Sequence, residues 1–309
     1  MNRQWTRRDK APHGLSAVID PRLQDTSDVT CLRLLPRCLP RSGMRDRVGG
    51  GMRFVILGSG SSGNAALVEC GGLRFMIDAG LSAKQLSLRL AQVGVAADSL
   101  DGILLTHEHG DHVRGLKVFL KQYPVSVYAT AATAQVVREA GIQGCQWKVF
   151  EAGRAFAIGA VTIDSFTIQH DAVDPVGFVI HHSSKRLGIL SDTGFVTRNV
   201  TDNLRDLNGL FVEANYDDAL LEADTKRPWP TKQRISSRHG HLSNTQVMDL
   251  VREIAHPALA RVVLGHLSAD CNGPQLALGL LRECLTSLGH VQTQIHCASP
   301  SEPSEWFAL

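Results

Sequence analysis

The chain predicts an α+β fold in which mixed sheets are covered by helices. Two observations predict it. From residue 52 on, short β-rich runs alternate with amphipathic helical patterns, and the early runs are joined by turns whereas the later ones interleave with helices. A pure βαβ repeat would place a helix after every strand. The strands expected are "RFVIL" (53–57), "ALVEC" (66–70), "LRFMID" (73–78), "GILLT" (102–106), "VSVYA" (125–129), "VTIDSFTI" (161–168), "VGFVIHH" (176–182), "RLGILS" (186–191), "GLFVEA" (209–214) and "ARVVLG" (260–265). Each is rich in β-branched or aromatic residues and bounded by turn formers. Helical periodicity marks 82–93, 112–122, 131–140, 244–254 and 274–288.

With 309 residues, 43% of them hydrophobic, the chain can build a full core. No window approaches the roughly 18 uninterrupted apolar residues of a membrane helix, so no membrane partner is expected. The Arg-rich N-terminus lacks the apolar core of a signal peptide. Seven cysteines (Cys31, Cys38, Cys70, Cys145, Cys271, Cys284, Cys297), odd in number and without CxxC spacing, argue against a disulfide framework or thiolate zinc site. A reducing cytoplasm is expected. The net charge of +2 excludes a dedicated, strongly basic nucleic-acid coat but not local patches.

Residues 1–51 mix Arg, Pro and Asp without a period and end in "GGG", as a disordered extension or a mis-assigned start ahead of Met52 would. Residues 52–309 are expected to form one hydrolase domain. "GSGSSG" (58–63) matches the dinucleotide pattern G-x-G-x-x-G, but "NAALVECGG" after it reads as a strand, so no helix N-terminus is there to hold a pyrophosphate. A tight glycine turn between strands is the better reading.

The chemistry concentrates in "THEHGDH" (106–112), straight after an apolar strand. In extended chain, i and i+2 share a side, so His107 and His109 can grip one ion together. Gly110 lets the chain turn, and Asp111 with His112 can serve a second ion. Imidazole and carboxylate without thiolate suit zinc, manganese or iron in a site open to water. Further ligands must come from elsewhere. His170, Asp192 and His266 each end a short β-run, and that repetition singles them out.

In that order, "THEHGDH", a strand-end His, "SDTG" and "GHLS" resemble the metallo-β-lactamase superfamily over essentially all of 52–309. "ILGSGSSGNA", "FMIDAG", "QHDAVDPVGF", "EANYD" and "GHLSN" are similar to its WalJ/YycJ-type branch. The resemblance implies a four-layer αββα sandwich with a dinuclear metal site at one edge, and nuclease or phosphodiesterase activity. By position, it implies a first metal on His107, His109 and His170, a second on Asp111, His112 and His266, and Asp192 bridging them. β-Lactam-degrading members commonly carry Cys where Asp192 stands, so antibiotic hydrolysis is not expected. Ser61 and Asn64 would lie on a loop facing the site, and Asp78 would order the ligand loop through hydrogen bonds.

Two divalent ions, zinc or manganese, held about 3.5–4 Å apart can share a hydroxide nucleophile and stabilise charge on a phosphoryl oxygen. The resemblance makes His241 in "RHGHLSN" the proton donor to the leaving group and Glu213 its acidic partner. An ordinary solvent-facing loop is the competing reading for His239 and His241. Upstream, Lys226, Arg227, Lys232, Arg234 and Arg238 surround Trp229. Lys232 or Arg234 is expected to neutralise a phosphate of a nucleic acid or other phosphodiester; a solvated basic loop competes with that reading. The span between Asp192 and His266 is too short for a second lobe, which favours a compact nuclease. A glyoxalase-like thioesterase and a non-catalytic metal-binding interaction protein are the alternatives. The sequence leaves oligomeric state and the choice of metal open.

Overall fold

The computed structural model describes residues 51–309, so the reading of 1–51 lies, but for Gly51, outside the described residues. The first sheet holds β1 (Arg53–Gly58), β2 (Ala65–Cys70), β3 (Leu73–Ile77), β4 (Gly102–Leu104), β5 (Val127–Thr130), β6 (Trp147–Phe150) and a last strand, β14 (Phe307–Ala308). Its order is β14-β1-β2-β3-β4-β5-β6. The second holds β7 (Ala155–Ile158), β8 (Val161–Thr167), β9 (Val176–His182), β10 (Lys185–Leu190), β11 (Gly209–Glu213), β12 (Arg261–Gly265) and β13 (Gln294–Cys297), in the order β13-β12-β11-β10-β9-β8-β7.

The division between turn-linked and helix-linked strands occurs twice, once in each sheet. β14 and β1 to β3 are antiparallel neighbours, and β3 to β6 are parallel. β7 to β10 are antiparallel, and β10 to β13 parallel. Parallel neighbours need a long crossover, and helices supply most of these. They are α1 (Ala83–Gln92), α2 (Gly110–Val113), α3 (Leu116–Gln122), α4 (Ala131–Glu139), α5 (Arg198–Asn203), α6 (Asp218–Ala223), α7 (Trp229–Ile235), α8 (Asn244–Ile254) and α9 (Pro274–Ser287). Ser82 caps α1 and Thr130 caps α4, while Ser243 and Gln246 form a reciprocal capping box at α8.

Three apolar clusters define four layers. Leu86 and Leu90 of α1, Phe119 of α3 and Val137 of α4 pack on Val55, Leu57, Leu67 and Met76 of the first sheet. Val247 and Val251 of α8 and Leu281 of α9 pack on Val179, Leu190, Val212 and Val262 of the second. Between the sheets lie Phe54, Ile56, Val68 and Phe75 against Ile163, Phe178, Ile189 and Val263. β1 thus sends Val55 and Leu57 to the helices and Phe54 and Ile56 to the sheet opposite, which is why it reads as one apolar run.

Several expectations need correction. The helix expected over 112–122 is two, because Gly115 passes so close to the 79–81 segment that a Cβ would lie 2.0 Å from the Leu81 carbonyl. Its N–H is drawn to the Ala79 carbonyl at 2.9 Å. Strands β6, β7, β13 and β14 and helices α5 to α7 add to the expected elements. The basic stretch read as a loop contains α7. "GSGSSG", by contrast, is the expected turn from β1 to β2, closed by Gly63 N–H donating to the Gly60 carbonyl at 2.9 Å.

Candidate metal centre

β-Strand register brings the distant chemistry to one edge. Leu190 pairs with Val212, and Glu213 with Gly265, so the residues following β10, β11 and β12 emerge side by side. Glu213 is the last residue of β11, and Asp192 and His266 lie just beyond β10 and β12. The "THEHGDH" loop leaves β4 of the opposite sheet toward the same edge, and His170 arrives from β8. Close backbone approach seats that loop. Asn64 N–H donates to the Asp111 carbonyl at 2.7 Å, and a Cβ on Gly80 would collide with that same carbonyl at 1.5 Å.

The structure brings all seven residues expected as ligands together. Donor atoms of His107, His109 and His170 lie within 4.8 Å of one another, as do those of His107, His112 and Asp192. The alternation argument for His107 and His109 therefore matches their geometry. Asp111 Oδ2 stands 3.7 Å from both His112 Nε2 and His266 Nε2. Asp192 reaches His112 Nε2 with Oδ2 at 2.6 Å and contacts His266 Nδ1 with Oδ1. It spans the cluster as a bridging residue would.

Second-tier contacts fix these rings. Asp78 accepts from Thr106 N–H and Thr106 Oγ1, each at 2.8 Å, and meets His112 Nδ1 at 2.7 Å. Asn64, expected to face substrate, is buried and sits 3.0 Å from His112 Nε2 and 3.3 Å from Asp111 Oδ2. Asp78, Asp192 and His266 have φ of 60°, 56° and 51°, a region that non-glycine residues enter only when their surroundings compel it. For His266 the compulsion is visible. Its N–H donates to Ser59 Oγ at 2.7 Å, and its carbonyl accepts from Asn215 Nδ2 at 2.9 Å.

The electrostatics are those of a cluster built around positive charge. Burial, with the neighbouring His112, holds the His107 imidazole well below its ordinary range, hence neutral. Burial also opposes a proton on His112 and His266, yet the Asp192 carboxylate outweighs it, raising His112 well above its usual value and His266 to about 10. Against burial, the same two rings hold Asp192 well below the carboxylate range. Two buried nitrogens here, His107 Nε2 and His266 Nε2, have no hydrogen-bond partner. Orphaned buried donors or acceptors are rare. Two imidazole nitrogens left over beside a buried carboxylate fit a divalent cation.

His241 Nδ1 lies 3.1 Å from Glu213 Oε2 and 3.6 Å from Asp192 Oδ1. Glu213 is fully buried, accepts from Thr193 and Leu242 N–H at 2.6 and 3.2 Å, and stands 3.4 Å from His266 Nδ1. Despite burial, Glu213 raises the His241 imidazole above its ordinary range. Ser61 is exposed in the β1–β2 turn. Lys232 donates from Nζ to the Glu222 carbonyl at 2.8 Å, whereas Arg234 pairs with Asp171 at 2.6 Å. The Asp171 carbonyl in turn contacts His109 Nε2 at 3.2 Å. Sequence reasoning did not single out Asp171, Asn215 or Thr106. Only their positions next to ligands in sequence or in the "EANYD" motif hinted at them. Glu108, in the middle of the motif, accepts from Val173 N–H at 2.9 Å.

Residues 73–267 match the model of the beta-lactamase superfamily domain, a span that contains every one of the seven clustered residues. The chain belongs to this superfamily. Relatives include "Exodeoxyribonuclease WalJ" of Streptococcus pneumoniae serotype 2, 35% identical over 231 residues, covering 74% of this chain and 86% of the relative. Another is "Exodeoxyribonuclease YycJ" of Bacillus anthracis, 30% identical over 260 residues, covering 82% and 98%. Among solved structures, the metallo-beta-lactamase fold protein YhfI from Bacillus subtilis superposes with a TM-score of 0.63 at 16% identity, covering 83% of this chain and all of that one. The last shares the fold. Superfamily membership and the histidine and aspartate clusters together support divalent metal binding, and the WalJ/YycJ-type resemblance seen in the sequence holds.

Proposed function

We propose that the chain is a metal-dependent phosphodiesterase acting as an exonuclease on DNA, with residues 52–309 as the hydrolase unit and two ions, zinc or manganese, at the centre. The observation that carries this reading is the pairing of two orphaned imidazole nitrogens, beside the buried Asp192 carboxylate, with an adjacent couple of His241 and the buried Glu213. His107, His109 and His170 would hold one ion; Asp111, His112 and His266 would hold the other, with Asp192 shared. When bound, divalent ions supply an attacking nucleophile at neutral pH and positive charge against the phosphoryl oxygens.

The chain's own residues handle the proton and the alignment. With Nδ1 on Glu213, His241 has Nε2 as its free proton-bearing atom. Glu213 raises that ring's hold on its proton, so Nε2–H is the donor for the departing oxygen. Arg234, held by Asp171 beside His109 and His170, is the cation at the rim that meets a phosphate. Lys232, bonded to the Glu222 carbonyl, and Ser61, in the exposed turn, would meet the strand beyond the scissile bond. The relatives' exodeoxyribonuclease names support DNA as the polymer. All five cysteines among the described residues are free, and no helix among those residues is long and apolar enough to cross a membrane. Free thiols support a cytoplasmic location.

Metal analysis of the purified protein, followed by end-labelled single- and double-stranded DNA and RNA, tests the reading. Metal bound with terminal nucleotides released from DNA is the expected result. Stoichiometric metal with no cleavage of bis-p-nitrophenyl phosphate or of any labelled strand would sink it.

A further inference from the structure

Segment 224–241 contains five basic residues and one acidic residue around Trp229. By composition it is a cationic grip, but the fold supplies partners for most of those charges. Lys226 pairs with Asp270, and Arg227 with Asp224 at 2.9 Å and Asp270 at 3.0 Å. Arg234 is taken by Asp171, and the Arg238 guanidinium lies 4.2 Å from the Phe195 ring centre. Lys232 is bonded to a main-chain carbonyl. Each would have to leave an internal partner to meet a phosphate, which lowers its net contribution to binding.

Trp229 is the opposite case. Its side chain is 66% exposed, the most exposed large apolar side chain among the described residues. An indole left in water forgoes a large burial gain and offers a π-face to a ligand. The helix beneath it is anchored to the metal centre at its far end. His241 N–H donates to the Ile235 carbonyl at 2.9 Å, and Arg234, one residue earlier, is tied through Asp171 to the His109 ring. Trp229 stands five residues before Arg234, about 7.5 Å along the helix axis. Five residues also turn the helix by about 140°, so a single strand that meets both side chains would wrap around the helix over a few nucleotides.

We propose that Trp229 is a stacking platform for an unpaired base of a single-stranded DNA end, and that this contact, more than free charge, grips the strand fed to the metal centre. The proposal rests on the nuclease reading above for its choice of occupant. Base–aromatic stacking is tolerant of sequence, so the grip would suit an enzyme that removes nucleotides in succession.

The test is anisotropy of a fluorescein-labelled, phosphorothioate-linked oligothymidylate titrated with the full-length, metal-loaded protein. Trp229→Ala is expected to weaken binding about tenfold or more, and Trp229→Phe to keep most of it. Between 50 and 200 mM salt the unaltered protein should lose less than about tenfold in affinity, where six to ten phosphate contacts to a single strand would cost roughly 300- to 16,000-fold. Equal affinity for the unaltered and Trp229→Ala proteins, or equal losses in the alanine and phenylalanine variants, overturns the platform. So does a dimer in size-exclusion chromatography that Trp229→Ala dissociates while oligonucleotide affinity is unchanged, since the ring would then be a contact between copies. Weakened binding in Trp229→Ala with no hydrolysis of any DNA would sink the nuclease reading and leave the platform standing. Hydrolysis with binding indifferent to Trp229 does the reverse.

Discussion

Asp78 illustrates how a residue with no reactive role shapes the centre. Its two oxygens bind Thr106 and His112 together, fixing which imidazole nitrogen of His112 faces the cluster. Asp78→Ala should therefore lower metal affinity about 10–100-fold with the far-ultraviolet spectrum retained, as read by competition with a chromogenic chelator. Unchanged affinity would show that the ring needs no such anchor. His241→Ala should behave differently, keeping its metal while the hydrolytic rate drops about 10²–10⁴-fold. Metal loss in that variant would instead make His241 a ligand, since its donor atom lies within 4.8 Å of those of Asp192, Glu213 and His266. The seven clustered residues were legible because strand-end His and Asp have few bland explanations when they recur. Asn64 beside His112 was legible only as a loop residue, because 48 positions separate the two and only folding closes that gap.

At the scale of elements, the C-terminal segment is a strap between the two sheets. β13 lies at the edge of the second sheet, and a few residues later β14 pairs with β1 of the first. Arg89, buried on α1, ties the strap down by donating to the carbonyls of Leu57, Pro300 and Ser301. Arg89→Met would leave those carbonyls without their donor, and a loss of about 2–4 kcal/mol in urea unfolding is expected. Hydrogen exchange of the Leu309 amide, bonded to the Met52 carbonyl, should quicken in the same variant. A stability within about 0.5 kcal/mol of the unaltered protein would remove Arg89 from this role. The central strands and the helices α1, α4, α8 and α9 were readable from periodicity. β14, two residues long, and helices α5 to α7, six or seven residues each, are too short for a period to show, and their places are set by contacts from other parts of the chain.

In the whole molecule the centre joins its two halves. His107, His109, Asp111 and His112 follow a strand of the first sheet, while His170, Asp192 and His266 follow strands of the second. Ions held by both would cross-link the sheets at one edge. Exhaustive chelation should lower the thermal midpoint, because a ligand bound only by the folded state adds about 2.7 kcal/mol at a hundredfold excess over its Kd. Manganese or zinc added back should restore it; a midpoint indifferent to chelation would mean that the ions carry no such load. The alternation of apolar strands and amphipathic helices and the residue types of a metal site are legible along the chain, because burial period and ligand chemistry are local properties. Tertiary structure decided which strand ends meet, which buried atoms are left without partners, and which basic side chains are already paired. Those depend on register and close approach between segments far apart in sequence, and no local pattern encodes them.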